Sequence, residues 1–187
     1  MPVIAIVSPS VRKGRYSHRA ALYFKNFLEE KNLSAVEMLD LFKYNFPLFD
    51  ERLKYLESPS AEIVDFGEKV RAADGIIIIT PEYNGGYPAS LKNAIDLLYD
   101  EWHRKPIAFV TVSEGNAAGA QVITSIQFVL WKMGAQTIPF SFRIPNIRST
   151  FDENGTPADK SVMDKRASAF IKELLWYIDA KKRMSEL

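Results

Sequence analysis

Short apolar runs alternate along the chain with segments in which apolar residues recur every three or four positions. The runs are rich in β-branched residues, and the four consecutive isoleucines within 75–80 predict a strand buried on both faces. The periodic segments place their apolar side chains on one stripe, as amphipathic helices do. Strands are predicted at 3–7, 34–41, 75–80, 107–112 and 135–144. Helices are predicted at 17–31, 60–73, 88–99, 118–133 and after Ala158, with Ser60 as an N-cap and Gly134 as a stop.

Five strands that alternate with five helices predict an α/β domain in which helices cover both faces of a doubly wound parallel sheet. The chain has 187 residues, a length that fits a single domain over 1–187. Ligands of such sheets bind beyond the carboxyl ends of the strands, where the strand order reverses. This rule selects the loops after the first, third and fourth strands as candidate binding loops.

The first of these loops, residues 8–18, leaves a strand and enters a helix, whose free N–H groups favour an anion. Ser10 and Ser17 can donate hydroxyls, and Arg12 can make a charge-assisted bond to a phosphate oxygen. An equally good local interpretation is a simple turn with Ser17 as the helix cap. The loop lacks the glycine patterns of dinucleotide and nucleoside-triphosphate sites, so a terminal monophosphate fits better.

The other two loops are also compatible with a ligand. In residues 80–96, Gly85 and Gly86 allow the backbone to approach a flat ligand and Tyr83 adds an aromatic surface, although an ordinary turn is the alternative. Residues 113–119 are mostly small. They leave room for a ligand, or they form a tight turn with Gly115 at a positive φ.

The composition of the chain narrows its chemistry. A formal net charge of +1 provides no strong field to recruit nucleic acid or an anionic membrane. The absence of cysteine excludes disulfides, thiol nucleophiles and cysteine-ligated metals, so a redox protein of this composition needs a bound cofactor. No apolar run approaches the roughly 18 residues of a membrane span, and no secretory signal is visible. We therefore expect a cytoplasmic protein, and no metal site is predicted.

The second loop resembles the signature of the NADPH-dependent FMN reductases. Its most specific part is the block Pro81-Glu82-Tyr83-Asn84-Gly85-Gly86, followed by Pro88, the run Leu91-Lys92-Asn93-Ala94 and Asp96. Other segments similar to the family are Ser10-Val11-Arg12 with Gly14 and Ser17, and residues 46–51, 113–119 and 151–155. The resemblance covers nearly the whole chain. It implies a flavodoxin-like three-layer sandwich, in which a five-stranded parallel sheet of order 2-1-3-4-5 carries helices on both faces.

The resemblance also implies FMN as the cofactor and assigns residues to three parts of it. Those around the phosphate would be Ser10, Arg12, Ser17 and His18. Those along the isoalloxazine, largely through backbone atoms, would be Pro81, Glu82, Tyr83 and Asn84. Those closing its other edge would be Ser113, Gly115 and Asn116. The chain departs from the family at Pro9 and Glu114, where glycine is common.

The reaction that the resemblance implies is that of an NAD(P)H-dependent FMN reductase or quinone reductase. Hydride passes from NADPH, or NADH, to N5 of FMN and then to a small-molecule electron acceptor, which is a flavin, a quinone, an azo compound or a metal oxyanion. The flavin carries the chemistry, so no catalytic side chain is predicted. Arg12, Lys13 and Arg15 favour NADPH, because basic residues accommodate its 2′-phosphate.

Two other function classes are alternatives to a reductase. A non-catalytic FMN-binding electron carrier or regulator is the main alternative. Carrier flavodoxins are usually strongly acidic, however, whereas this chain has a net charge of +1. Hydrolysis is disfavoured, because the chain has only His18 and His103 and no Gly-x-Ser-x-Gly elbow.

The segment 49–57 carries more apolar residues than a solvent loop should, among them Phe49, Leu53, Tyr55 and Leu56. The resemblance suggests that it meets a second subunit beside its flavin, in a homodimer or a dimer of dimers. Trp102, Trp131 and Trp176 are predicted to be packing or interface residues.

Overall fold

The sheet of the protein is five-stranded and entirely parallel. A computed structural model describes residues 1–185, so that Glu186 and Leu187, the end of the predicted domain, lie outside the described residues. The strands are β1 (Val3–Ser8), β2 (Ala35–Asp40), β3 (Gly75–Pro81), β4 (Pro106–Val112) and β5 (Gln136–Ile144). Their order is β2-β1-β3-β4-β5, which confirms the predicted topology.

Seven helices of the described chain connect or follow these strands. They are α1 (Ser17–Glu30), α2 (Leu41–Tyr44), α3 (Ala61–Ala72), α4 (Ala89–Asp96), α5 (Ala120–Lys132), α6 (Ile147–Thr150) and α7 (Lys160–Met184). The predicted helix at 88–99 runs three residues too far, because the chain turns at Leu97 and forms a 3₁₀ turn at Asp100–Trp102. Neither α2 nor α6 was predicted, since four residues are too few to show a helical period. Among residues 1–185, no helix is both long enough and apolar enough to cross a membrane.

Helices cover both faces of the sheet, because the strand side chains alternate between two cores. Ile77 and Ile79 join the core beneath α1 and α7, whereas Ile76 and Ile78 join the core beneath α3, α4 and α5. The buried indole of Trp102 belongs to the second core, as predicted. Phe49, Leu53 and Leu56 also pack against this core and are half-buried, so of the four apolar residues noted in 49–57 only Tyr55 is mostly exposed.

Local signals set several helix ends. Ser60 caps α3, because its hydroxyl accepts a bond from the Ile63 N–H at 3.4 Å. Gly134, at a φ of 74°, ends α5 as predicted.

Strand β5 is irregular: Thr137 pairs with Ile107 and Ser141 with Phe109, so residues 138–140 bulge opposite Ala108. Pro139, which has no N–H to donate, lies inside this bulge.

A buried cation stabilises the end of α3. Lys105 donates from Nζ to the carbonyl oxygens of Arg71 and Ala73, in the last turn and C-cap of the helix. The negative end of the helix dipole favours a cation at this position. Burial, together with the charge of Lys181, nevertheless lowers the pKa of Lys105 to about 8.

We expect this lysine to give the unfolding free energy an alkaline pH dependence. Between pH 8 and the ordinary lysine pKa of about 10.4, the unfolded chain binds more protons at this group than the folded chain. Stability should therefore rise with pH in that window, as urea unfolding would measure. The Lys105→Met variant should lose the rise, and the exposed Lys172→Met variant should keep it. An unchanged slope in Lys105→Met would contradict the assignment.

Candidate functional site

The three predicted loops meet in one cleft at the carboxyl ends of β1, β3 and β4. The cleft has a volume of about 390 Å³, and the start of α6 completes it. Larger cavities occur elsewhere on the described surface, but this one is distinguished by the convergence of all three loops. Its lining consists of Ser10, Arg12, Lys13, Gly14, Arg15, Tyr16, Ser17, Pro81, Glu82, Tyr83, Val112, Ser113, Glu114, Ile147 and Arg148.

Ser17 is the most informative residue of the first loop. It does not cap α1, because Tyr16 occupies the N-cap position and makes no side-chain cap bond. The Ser17 hydroxyl is nevertheless buried, with 3% of the residue exposed, and it has no hydrogen-bond partner within the described part of the chain. A buried hydroxyl without a partner costs about 1–3 kcal/mol. A ligand acceptor atom at the start of α1 would remove that cost.

Arg15 fixes the first loop to the end of β2. Its guanidinium makes two bonds with the Asp40 carboxylate, one of them from Nη2 to Oδ2 at 2.8 Å, and a third bond to the Ser10 carbonyl oxygen at 3.3 Å. Burial tends to raise the pKa of Asp40, but the bonds and charge of Arg15 outweigh it and hold this pKa below its ordinary value. Arg15 is therefore neutralised by Asp40, whereas Arg12 and Lys13 remain as cations of the loop.

His18 lies behind the first loop rather than in the cleft. Its Nδ1 is 3.0 Å from the Ser8 hydroxyl and 4.0 Å from the nearer carboxylate oxygen of Asp40. Burial lowers the pKa of His18 more than Asp40 raises it, so the ring is neutral at pH 7. In this geometry His18 supports Asp40 and β1 and is not part of the cleft lining.

The second loop is built on a tight turn. Tyr83 and Gly86 exchange backbone hydrogen bonds of 2.8 and 3.0 Å, and Asn84 and Gly85 both have positive φ, as a type I′ turn requires. The Tyr83 N–H is used within this turn, so the residue offers its ring and hydroxyl to the cleft. The Tyr83 hydroxyl is 2.8 Å from the Ser10 hydroxyl and joins the first two loops. Asn84 lies at the tip of the turn, outside the cleft lining.

The third loop contributes Ser113 and Glu114 to the cleft but neither Gly115 nor Asn116. Asn116 lines a neighbouring cavity instead. The prediction of a positive φ at Gly115 is wrong, because the left-handed residues of this loop are Ala118 and Gly119.

A bridge of three residues that the sequence did not indicate spans the mouth of the cleft. The Glu114 carboxylate accepts a 3.4 Å bond from the Arg148 N–H and lies 3.9 Å from Arg148 Nε. The Arg148 guanidinium in turn lies over the ring of Tyr16, 5.3 Å from its centroid. Arg148 follows β5 at the carboxyl edge of the sheet, so the rule that ligands bind beyond the carboxyl ends of parallel strands also applies to its loop.

The arrangement suits a ligand with a phosphate at one end and a flat ring at the other. Unpaired donors and cations gather at the start of α1, where Ser17, Arg12 and Lys13 lie. Pro81 and Tyr83 line the same cleft, together with the apolar side chains of Val112 and Ile147. This polarity matches FMN, whose phosphate and isoalloxazine lie at opposite ends of the molecule.

Comparisons with known proteins agree with this geometry. The sequence profile described as NADPH-dependent FMN reductase matches residues 1–148. The chain is 32% identical over 140 residues to an NAD(P)H-dependent FMN reductase of Saccharomyces cerevisiae, covering 68% of this chain and 72% of the relative. It is 32% identical over 166 residues to a quinone reductase of Pseudomonas putida, covering 84% of this chain and 86% of the relative.

The fold has a solved counterpart in FerB, a flavoenzyme NAD(P)H:(acceptor) oxidoreductase from Paracoccus denitrificans. The two superpose with a TM-score of 0.75 at 21% identity, over 95% of this chain and 99% of that chain. This likeness confirms the flavodoxin-like architecture. With the sequence match over most of its length, the chain belongs to the NADPH-dependent FMN reductase family.

Proposed function

We propose that the chain is an FMN-dependent oxidoreductase that takes electrons from NAD(P)H and passes them to a small acceptor of the quinone or flavin class. The observation that carries the proposal is the buried, unpartnered Ser17 hydroxyl beside Arg12 and Lys13 at the start of α1. Family membership and the names of the two relatives support the choice of donor and acceptor.

The residues of the chain bind and orient the cofactor in this proposal. Ser17, Arg12 and Lys13 hold the phosphate, while Pro81, Tyr83 and Ser113 line the ring. Glu82 is held in place because its carboxylate accepts a 3.3 Å bond from the Gln121 N–H. When bound, FMN would accept hydride from the nicotinamide and pass the electrons on to the acceptor. Of the residues that the sequence predicted, His18 lies behind the first loop, and Asn84, Gly115 and Asn116 lie outside the cleft lining, so this proposal assigns them no direct contact with FMN.

An absorbance experiment tests the proposal directly. The protein would be mixed with FMN, desalted and then treated with NADPH without oxygen. Retained flavin whose visible band bleaches would support a reductase. Retained flavin that does not bleach would favour a carrier or regulator instead. No retained flavin, together with no NADPH oxidation when free FMN is present, would contradict the proposal.

Removal of the Ser17 hydroxyl should separate cofactor affinity from stability. We expect Ser17→Ala to weaken FMN binding at least tenfold, because a hydrogen bond to a charged group contributes about 1.5–3 kcal/mol. The same change should leave the unfolding free energy of the flavin-free chain unchanged or higher, since it removes a buried hydroxyl without a partner. Fluorescence titration with FMN and urea unfolding measure the two effects. Ser125→Ala on α5 is the matched control, and equal FMN affinity in Ser17→Ala would exclude a phosphate contact.

We also propose that the protein is cytoplasmic, which the NAD(P)H donor supports. We further propose that it forms a homodimer, or a dimer of dimers, which an apolar surface beside the first loop supports. Val11, Phe42 and Leu48 are exposed around a cavity of about 600 Å³, and Leu48 is 87% exposed. Such a surface on one chain is typical of an interaction site. Light scattering at micromolar concentration should give at least twice the chain mass, and Leu48→Asp should reduce it. A single-chain mass for the unaltered protein would contradict the dimer.

A further inference from the structure

A second cavity, of about 580 Å³, adjoins the flavin cleft on the side of β5. We call it the β5–α7 pocket, because β5 and α7 supply most of its lining. Asn116 and Pro145 line it, and each lies two residues along the chain from a residue of the cleft, Glu114 and Ile147 respectively. The pocket and the cleft are therefore built on the same two chain segments, those that follow β4 and β5.

Three cations face the β5–α7 pocket without a counter-ion. Arg143, Lys165 and Arg166 line it, and no carboxylate shares the lining. None of the three forms an ion pair with any residue of the described chain. Like charges around one cavity repel each other, and an anion bound among them would relieve the repulsion.

One of the cations is already fixed in position. Arg166 Nη2 donates to the Arg143 carbonyl oxygen at 2.8 Å, and its guanidinium lies 4.4 Å from the centroid of the Phe142 ring. Arg143 and Lys165 have no such restraint and are free to reach a ligand. Phe140, which is 49% exposed, adds an aromatic surface to the same lining. Cations beside an exposed ring fit a nucleotide, whose ribose carries both a phosphate and a flat base.

We propose that the β5–α7 pocket binds the adenosine 2′-phosphate end of NADPH, with Arg143 and Lys165 contacting the phosphate. The inference rests on the proposed function, in which FMN occupies the cleft and accepts hydride from the nicotinamide. The first loop is a poorer site for the 2′-phosphate, because Asp40 neutralises Arg15, and Arg12 and Lys13 lie beside Ser17 where the FMN phosphate belongs. The 2′-phosphate is the feature that separates NADPH from NADH, so this pocket determines the donor preference.

Binding of adenosine 2′,5′-bisphosphate to the FMN-loaded protein tests the pocket without requiring hydride transfer. By calorimetry it should bind at least tenfold more tightly than adenosine 5′-monophosphate, since the bonds to the 2′-phosphate are charge-assisted. The double variant Arg143→Gln with Lys165→Gln should lose this difference and retain FMN. The control is Lys172→Gln, which removes an exposed charge from the same helix outside the pocket. Equal affinities for the two nucleotides would overturn the proposal.

Steady-state kinetics give a second readout. The double variant should raise the KM for NADPH about tenfold and change the KM for NADH less than twofold. A parallel change for both donors, or a change confined to an anionic acceptor, would overturn the proposal. If the protein binds the bisphosphate selectively but NADPH never bleaches its bound flavin, the pocket assignment stands and the proposed reductase function fails.

Discussion

Replacing Asp40 by alanine is expected to lower the free energy of unfolding by about 3–5 kcal/mol, the cost of leaving a buried charge unpaired. Asp40 is 2% exposed and its partner Arg15 has a side chain only 16% exposed, so little of the guanidinium contacts water once the carboxylate is removed. The same carboxylate caps α2 by accepting a 3.2 Å bond from the Phe42 N–H. Urea unfolding measures the loss, and FMN affinity should fall with it because the first loop loses its bond to the end of β2.

Two controls make this result interpretable. Asp96→Ala breaks a surface pair with Lys92 one helical turn away and should cost less than about 1 kcal/mol. Adding Arg15→Met to Asp40→Ala should recover part of the lost stability, because the buried charge is then absent. A loss below about 1 kcal/mol in Asp40→Ala would show that the pair contributes no more than a surface pair.

The pair also gives stability an acid dependence. Because the folded pKa of Asp40 lies below its unfolded value, its contribution is complete above the ordinary aspartate pKa of about 3.9 and is lost as the pH falls through the lower folded value. The Asp40→Asn variant should therefore lose less of its unfolding free energy between about pH 4 and more acid pH than the unaltered protein does.

Replacing Gly155 by alanine should lower the unfolding free energy by about 3 kcal/mol, combining left-handed strain with overpacking. Gly155 has a φ of 82°, and an added Cβ would lie 2.6 Å from the Tyr23 nitrogen and 2.8 Å from the Arg19 carbonyl oxygen. Both atoms belong to the backbone of α1, which cannot move without displacing the first loop. Thermal or urea unfolding measures the effect, and FMN affinity should fall as well.

Gly14→Ala is the matched control for this substitution. Gly14 has a φ of 66°, but no atom outside its neighbours lies within 4 Å of its added Cβ. Its cost should be the backbone strain alone, about 1 kcal/mol. The difference between the two variants isolates the contact of the 151–155 segment with α1, and equal losses would show that this contact has little effect.

The architecture could be predicted from the sequence because each strand is a concentrated apolar run. The five strands and five long helices follow from periodicity, whereas the strand order needed the resemblance to a family. The two four-residue helices were missed because they are too short to show a repeating pattern. The start of α2, for example, is set by a single hydrogen bond that the Phe42 N–H donates to the Asp40 carboxylate.

The candidate site was predicted at the level of loops but less well at the level of side chains. Successive helix residues point about 100° apart, as 3.6 residues per turn require, and the fold places Ser17 in the cleft lining and the His18 ring beside Ser8 and Asp40. The Arg15–Asp40 pair joins residues 25 positions apart across the ends of β1 and β2, and only the folded sheet brings them together. Arg148 and Glu114 meet for the same reason across the ends of β4 and β5.

The bulge in β5 has a consequence for self-association. An edge strand of a parallel sheet offers a row of free backbone groups on which another chain can continue the ladder. Pro139 and the bulge at 138–140 interrupt that row, so two copies cannot merge their sheets along β5 into one continuous ladder. Protein engineering that regularises this strand, for example by Pro139→Val, would remove a safeguard against fibre-like aggregation during expression.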